Sequence, residues 1–448
     1  MRRTYRRRGS KNKICVAFLV FVLMSMTIGS VGAQEKLTVW IATTFVDAQN
    51  DWLRAETEAW AKERNVDVDV SIFPKEIYAD KIMAAIEAGK PPDVVLQGAT
   101  GVVHAAELGM LVPLDDVVDR LGREDFYPAV LTYAAISDPE TGQKRIYGIP
   151  LFFEFRTCEV RADLLKKAGI SIPEEPDYDW FIKAVRAVSN PPHVYGWGLT
   201  LGKCYDANDN ILTLIYAHGG GYISNRGPHG ADIFNTEPTW KAFSLMKELY
   251  REKVIPPDSI GWTDYDNNLA FMEGRIASTI NGPSIYYKMV EENNPLAKVT
   301  KEIYLDVVCD TGLKSAFIFK SIPQKEARGK DLIYYILKDK EGYRTNMCEK
   351  SQLYGTPIFK SQGAIISQEW REGKWSMFAV DPMLAARKAK AVWSMAYPLS
   401  EPTSVAERVE GSLLIPEKTA ALFIKDADPK EVAAEIAKEI NKLLAETY

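Results

Sequence analysis

Residues 147–170 read YGIPLFFEFRTCEVRADLLKKAGI, and this stretch decides how the chain is divided. Ile149 to Val160 is apolar and aromatic, the composition of an extended, buried segment. Two charges, Glu154 and Arg156, interrupt it. A buried charge is costly unless it is paired or functional. Residues two apart in a strand share a face, so the spacing sets these two side by side, either as a brace for a hinge or as ligand contacts. Arg161 to Lys167 then turns helical, and Gly169 marks the helix end. The expectation is a crossover between two lobes.

A chain of 448 residues exceeds one ordinary domain. Arg2, Arg3, Arg6, Arg7, Arg8, Lys11 and Lys13 precede the uncharged apolar run Ile14 to Ile28, and small residues follow it, with Val31 and Ala33 at the positions a signal peptidase reads. The expectation is a signal peptide over residues 1–33, cleaved near Ala33, and an exported, periplasmic or extracytoplasmic mature chain. The run is short for a membrane span. Removing seven basic residues and no acidic one takes the net charge from −5 to −12, which argues against a nucleic-acid partner. Cys158, Cys204, Cys309 and Cys348 remain, in no common metal-binding spacing. Buried free thiols are favoured over bridges for them. No metal or cofactor is expected.

Lys36 to Ala42 reads as a strand, Ala48 to Arg64 as an amphipathic helix, Val66 to Phe73 as a second strand, Tyr78 to Ala88 as a helix and Asp93 to Leu96 as a third strand. Strands alternating with helices imply a parallel sheet covered on both faces. Ligands of such sheets bind beyond the carboxyl ends of the strands, which marks Thr43, Thr44, Asp47 and Gln97.

Three stretches resemble the first lobe of the extracellular solute-binding proteins of ABC sugar importers (family 1, maltose-binding-protein-like): Tyr78-Ala79-Asp80-Lys81-Ile82, Ala88 to Val95, and Glu107 to Asp116. Tyr147-Gly148-Ile149-Pro150, Arg156, Arg161-Ala162-Asp163-Leu164 and Lys167 to Ile170 are similar to that family's crossover. Gly219 to Gly221, Phe271 to Ala277, Asn281-Gly282-Pro283 and Thr356-Pro357 come after it in the family's order. Cys158-Glu159-Val160 stands where the family commonly has an aromatic pair, and Asp177 to Trp180 replaces its usual helix start, with Asp179 as a capping residue. The resemblance implies an α/β, two-lobed periplasmic-binding-protein fold of type II, each lobe a doubly wound sheet flanked by helices. It places lobe one at 34–152 plus 283–322, lobe two at 157–280 plus 324–448, and hinge crossovers at 153–156 and 281–282. It implies a monomer that passes a carbohydrate to the permease subunits of an importer. The closing helix, Pro429 to Thr447, carries Val432, Ile436, Ile440 and Leu444 on one face.

A sugar offers C–H faces that stack on aromatic rings and a rim of hydroxyls that needs hydrogen bonds. Of the ten tryptophans, those in loop-like contexts are the candidate platforms: Trp197, Trp262, Trp375 and Trp393. Asp206 and Asn208 in CYDANDN, ahead of a helix expected near Asn210, and Asp266, ahead of one near Leu269, are candidate hydroxyl partners. Glu154, Arg156 and Asn281 complete the candidate set. Arg156 is also a bidentate donor for an anionic solute, such as a uronic acid, a sugar phosphate or a glycerol phosphodiester. The four histidines show no metal spacing, and neither a nucleophile elbow nor a phosphate loop is present. No catalytic residue is assigned. An exported glycoside hydrolase, which needs two carboxylates astride one bond, is the alternative of a different class.

Overall fold

Three short apolar runs spaced by helices build the first sheet. β1 (Leu37–Ala42), β2 (Val68–Phe73) and β3 (Val94–Gly98) are connected through α1 (Asp47–Arg64) and α2 (Lys75–Glu87). β1 pairs in parallel with both β2 and β3. The computed structural model describes residues 36–448 apart from 45, 99, 306–313, 389–396 and 400–401. Alternate residues of β1 and β3 enter different apolar clusters: Val39, Ile41, Val94 and Leu96 on one face, Ala42 and Val95 on the other. A strand buried on both faces needs helices on both, which is why its sequence is continuously apolar. α1 covers one face together with α9 (Pro323–Lys338), and α2 with α3 (Val102–Glu107) covers the other. α1 stops at Asn65, which takes the left-handed conformation (φ 51°) that asparagine tolerates better than most residues.

After an antiparallel hairpin, β4 (Ala135–Ser137) and β5 (Lys144–Ile146), the chain reaches β6 (Ile149–Pro150). Between β3 and β6 the sheet takes in β10 (Ser315–Ile318), antiparallel to both, giving the order β2-β1-β3-β10-β6. The second sheet is antiparallel, in the order β8-β7-β9, from β7 (Thr157–Arg161), β8 (Ser278–Asn281) and β9 (Thr300–Ile303). Around it lie α4 (Tyr178–Val188), α5 (Tyr205–Ala217), α6 (Glu237–Arg251), α7 (Asp266–Met272), α8 (Ser284–Glu291), α10 (Ser404–Ser412) and α11 (Pro429–Thr447). The two open sheets with their helices form a two-lobed periplasmic-binding-protein fold. The apolar stripe of α11, Val432, Ile436, Ile440 and Leu444, is buried, and the helix packs on α6.

Three expectations are corrected. The stretch expected in lobe one from residue 283 onward contains β9, which pairs with β7, and the stretch expected to open the last part of lobe two begins with α9, which packs on α1. The sheet, not the sequence order, sets these memberships. Ile149 to Val160 is not one strand: only its ends are in ladders, and Phe153 makes an isolated bridge with Thr356. The cap of α4 is Asp177, whose carboxylate accepts from the Trp180 N–H at 2.7 Å, in place of Asp179. Cys158, Cys204 and Cys348 are buried free thiols, and Cys309 lies outside the described residues, as does the 1–33 segment. Among the described residues no helix is long and apolar enough to cross a membrane.

Candidate functional site

The carboxyl ends of β1 and β3 open onto a cavity of about 910 Å³, counting its solvent-filled mouth. Ala42, Thr43, Tyr78, Ala79, Gln97, Thr100 and Lys314 face it from the first lobe. Tyr205, Asp206, Asp209, Asp264, Asn268, Asn281, Ser284 and Glu410 face it from the second, and Glu154 and Arg156 from the crossover. The crevice rule for open α/β sheets locates the first-lobe wall. The second wall depends on where α5 begins.

α5 starts at Tyr205, about a turn before the start expected near Asn210. Asp206 and Asp209 are therefore three apart within a helix and share a face. Both meet Arg156: its Nη2 donates to Asp206 Oδ1 at 3.1 Å and to Asp209 Oδ2 at 2.6 Å. The three side chains are nearly fully buried, at 5 %, 10 % and 6 % exposed for Arg156, Asp206 and Asp209. Burial works against the Arg156 charge, but Asp206 and Asp209 outweigh it and hold the guanidinium above its ordinary pKa. Burial raises Asp209 above the usual carboxylate value, with Arg156 opposing. Asn267 and Asn281 donate to Asp206 Oδ2 at 3.1 and 3.2 Å, and Asn281 also donates to Asn268 Oδ1 at 2.6 Å. Asp264 Oδ1 accepts from the Asp206 N–H at 2.8 Å, tying the α5 N-terminus to the loop before α7. Carboxylates here also suit the positive end of the helix dipole.

Glu154 and Arg156 share the cavity wall, and Glu154 adds to the field that holds the Arg156 charge, while their ion pairs run to other residues. Glu154 pairs with Lys314, at 3.4 Å, and Arg156 with the two aspartates. Gln97 sits at the end of β3 with φ 59°, a left-handed conformation that a non-glycine residue holds at a cost of order 1 kcal/mol. Its Nε2 donates to Ala42 O and Asn50 Oδ1, each at 3.3 Å, while its buried Oε1 has no hydrogen-bond partner. Arg156 Nε is likewise buried without one. Burial, then Glu410, Asp264, Asp80 and Asp209, push the Tyr205 phenol up to about 12. Glu410 is raised by burial and next by Asp209.

The structure thus brings together Thr43, Gln97, Glu154, Arg156, Asp206 and Asn281 from the expected set. It reassigns the others. Thr44 is turned inward, its N–H donating to Asn50 Oδ1 at 2.9 Å and its hydroxyl to Gln49 Oε1 at 2.9 Å. Asp47 is exposed in the first turn of α1. Asn208 is buried on another face of α5, donating to Asp209 Oδ1 at 3.3 Å. Asp266 caps its own loop through Thr263 N and Oγ1, at 2.6 and 2.8 Å. Trp197 is a core residue, edge-on to Phe181 with ring centroids 5.1 Å apart. The flanking glycines permit this: a Cβ on Gly196 would meet Val185 O at 2.1 Å. Trp262 packs with Phe271, Ile276, Ile285 and Met289, and Trp375 is buried with its Nε1 donating to Glu369 Oε2 at 3.0 Å. Trp393 lies outside the described residues.

Among the polar wall residues, Tyr78, Thr100, Tyr205, Asp209, Asp264, Asn268, Ser284, Lys314 and Glu410 lie outside the expected set. Tyr205 and Asp209 were recoverable by starting α5 at the Cys204–Tyr205 boundary. Glu410 carried no local signal, because a distant helix delivers it.

Away from the crossover the lobes also touch. On α10, Glu407 accepts from the N–H groups of Val103 and His104 at the start of α3, at 3.1 and 3.0 Å. Glu107 of α3 pairs with Arg226 at 3.2 Å and accepts from the Tyr448 hydroxyl at 2.9 Å. The cleft is thus walled by two lobes, with the crossover on one side and polar contacts between the lobes on another.

Residues 57–372 match the model of the bacterial extracellular solute-binding proteins. The chain belongs to that family. Solved structures agree on the fold of this solute-binding protein. An ABC transporter solute-binding protein from Thermotoga lettingae, bound with α-D-tagatose, is 19 % identical with TM-score 0.71, covering 92 % of this chain and 100 % of the other. Maltose-bound MalE3 of T. maritima is 18 % identical with TM-score 0.71 over 91 % and 99 %. A solute-binding protein of Agrobacterium vitis with D-mannitol is 15 % identical with TM-score 0.68 over 92 % and 98 %.

Proposed function

We propose that this solute-binding protein is the extracytoplasmic capture component of an ABC importer for a carbohydrate, of the maltose-binding-protein-like type. The cleft binds the ligand by hinge closure and presents the closed lobes to the permease. The observation that carries this reading is the cavity wall. Carboxylates, carboxamides and hydroxyls from both lobes and from the crossover converge on one space, with Tyr78 and Tyr205 as its aromatic surfaces. Such a wall satisfies a rim of hydroxyls only when both lobes contribute, so binding shifts the population toward the closed form. Structural relatives with tagatose, maltose or mannitol bound share the fold and add weight. The working ligand contacts are Thr43, Gln97, Glu154, Arg156, Asp206 and Asn281, joined by Asp209, Asp264 and Glu410. The protein acts as a monomer without catalysis or cofactor, and its 1–33 segment is removed on export.

An anionic solute fits this wall poorly. Arg156, the residue that suggested one, is already neutralised by Asp206 and Asp209. A thermal-shift screen against neutral sugars, polyols, amino sugars, uronic acids and sugar phosphates tests the reading. A ligand that binds only the folded state raises the melting temperature by mass action. A dissociation constant near micromolar corresponds to about 8 kcal/mol. A rise of several degrees with a sugar or polyol, and no reducing sugar released from oligosaccharides, is expected. A shift only with uronates or phosphates would reject the assignment.

A further inference from the structure

The cavity wall is charged asymmetrically. Among the described residues five carboxyl groups line it, Glu154, Asp206, Asp209, Asp264 and Glu410, against two cations, Arg156 and Lys314; burial and then Asp209 raise Glu410 to about 8, so it ionises fully only with a cation beside it. Both cations are engaged: Arg156 with Asp206 and Asp209, Lys314 with Glu154. A partly enclosed space with an excess of one sign of charge raises the local concentration of the opposite sign. The second wall adds an aromatic face. Tyr205 lines this cavity together with Asp209, Asp264 and Glu410, whose charges also act on its phenol, and a ring bordered by carboxylates is a receptor for an ammonium group. Independently, Gln97 lines the same cavity nine-tenths buried or more, with Oε1 lacking a donor. The wall therefore calls for a ligand rich in donors and positive at one end. A bare metal ion does not answer to it: among the described residues no group of three or more His, Cys, Asp or Glu side chains is placed to hold one.

We propose that the ligand is a polyhydroxylated molecule carrying a protonated amine, in the simplest case an amino sugar, whose ammonium sits against Tyr205 between Asp209, Asp264 and Glu410. This rests on the carbohydrate reading and narrows it. The hydroxyl rim is left to Gln97, Asn268, Asn281 and Arg156 Nε. N-acetylation of the amine removes its charge and adds bulk at the acidic wall, so the acetylated sugar is the discriminating comparison.

The test is calorimetric titration of the purified protein with D-glucosamine, D-galactosamine, D-mannosamine and the β-1,4-linked glucosamine dimer. Each is run beside its N-acetyl form and its neutral parent, with glucuronate and putrescine as controls, at low and high salt. At least one amine is expected to bind tenfold or more tighter than its acetylated and neutral counterparts, with the advantage shrinking at high salt. Glu410→Gln, nearly isosteric, is expected to remove most of that advantage. A neutral parent or uronate that binds as tightly as the amine overturns the inference and leaves the carbohydrate reading in place. Putrescine binding with no sugar binding keeps the ammonium site and overturns the carbohydrate reading. Absence of binding by every amine, or an unchanged amine preference in Glu410→Gln, overturns the inference itself.

Discussion

The Arg156 guanidinium is the residue on which the second wall turns. It draws Asp206 and Asp209 out of water and into one buried cluster, a geometry that is stable only while all three charges are present. Arg156→Met, which keeps the length and removes the charge, is expected to destabilise the protein by about 3–5 kcal/mol at pH 8. The defect should shrink toward pH 5, because the two abandoned carboxylates then take up protons. Denaturant unfolding at the two pH values measures it, and an equal loss at both would show that the cluster is not electrostatic. At this scale the sequence was half legible. Glu154 and Arg156 announce themselves as charges in an apolar run. Trp197 and Trp262 mislead, because loop-like surroundings suggest exposure. Gly196, Gly198 and Gly202 mark places where other atoms come too close for a Cβ, so those loops run through the interior and carry their tryptophans with them.

At the scale of the element, β7 and β9 hold Glu159 directly opposite Glu302, both fully buried. Burial first, and the neighbouring carboxylate next, raise Glu159 well above the usual range, and burial raises Glu302 in the same direction. The folded state therefore binds protons that the unfolded chain releases. The stability these protons bring is fully present below the ordinary carboxylate value and is lost as pH rises through the raised ones. The melting temperature is expected to fall between about pH 5 and pH 8. Glu302→Gln should melt higher than the parent at pH 8 and show a shallower dependence. A parallel pair of curves would assign the slope to other groups, Glu407 and Glu410 first. The helices and the parallel strands of the first lobe were legible from periodicity, since 3.6- and 2-residue patterns report directly on burial. The start of α5 was not: its opening turn is polar because it faces a cavity, and an element whose first turn serves a site lacks the pattern that would reveal it.

At the scale of the molecule, the two lobes are bridged away from the crossover by Glu407, which holds the first N–H groups of α3, and by Glu107 with Arg226 and Tyr448. Glu407→Ala deletes two of these bonds and is expected to enlarge the radius of gyration of the ligand-free protein in solution scattering, with ligand restoring the smaller value. Identical scattering curves would mean that closure depends on other contacts. The lobe pairing itself was legible from the order of weak motifs. The membership of residues 300–303 and 323–338 was not, because a strand joins whichever sheet lacks a partner there, and that is settled by long-range pairing. β10 is the extreme case. It completes the first sheet by entering between β3 and β6, although the whole of the second sheet precedes it along the chain. On a ribosome, the first sheet waits for all three strands of the second. No single cut in the gene yields either lobe whole, and no single crossover can graft a new one. What recombination can exchange, and what a truncation destroys, is the pair.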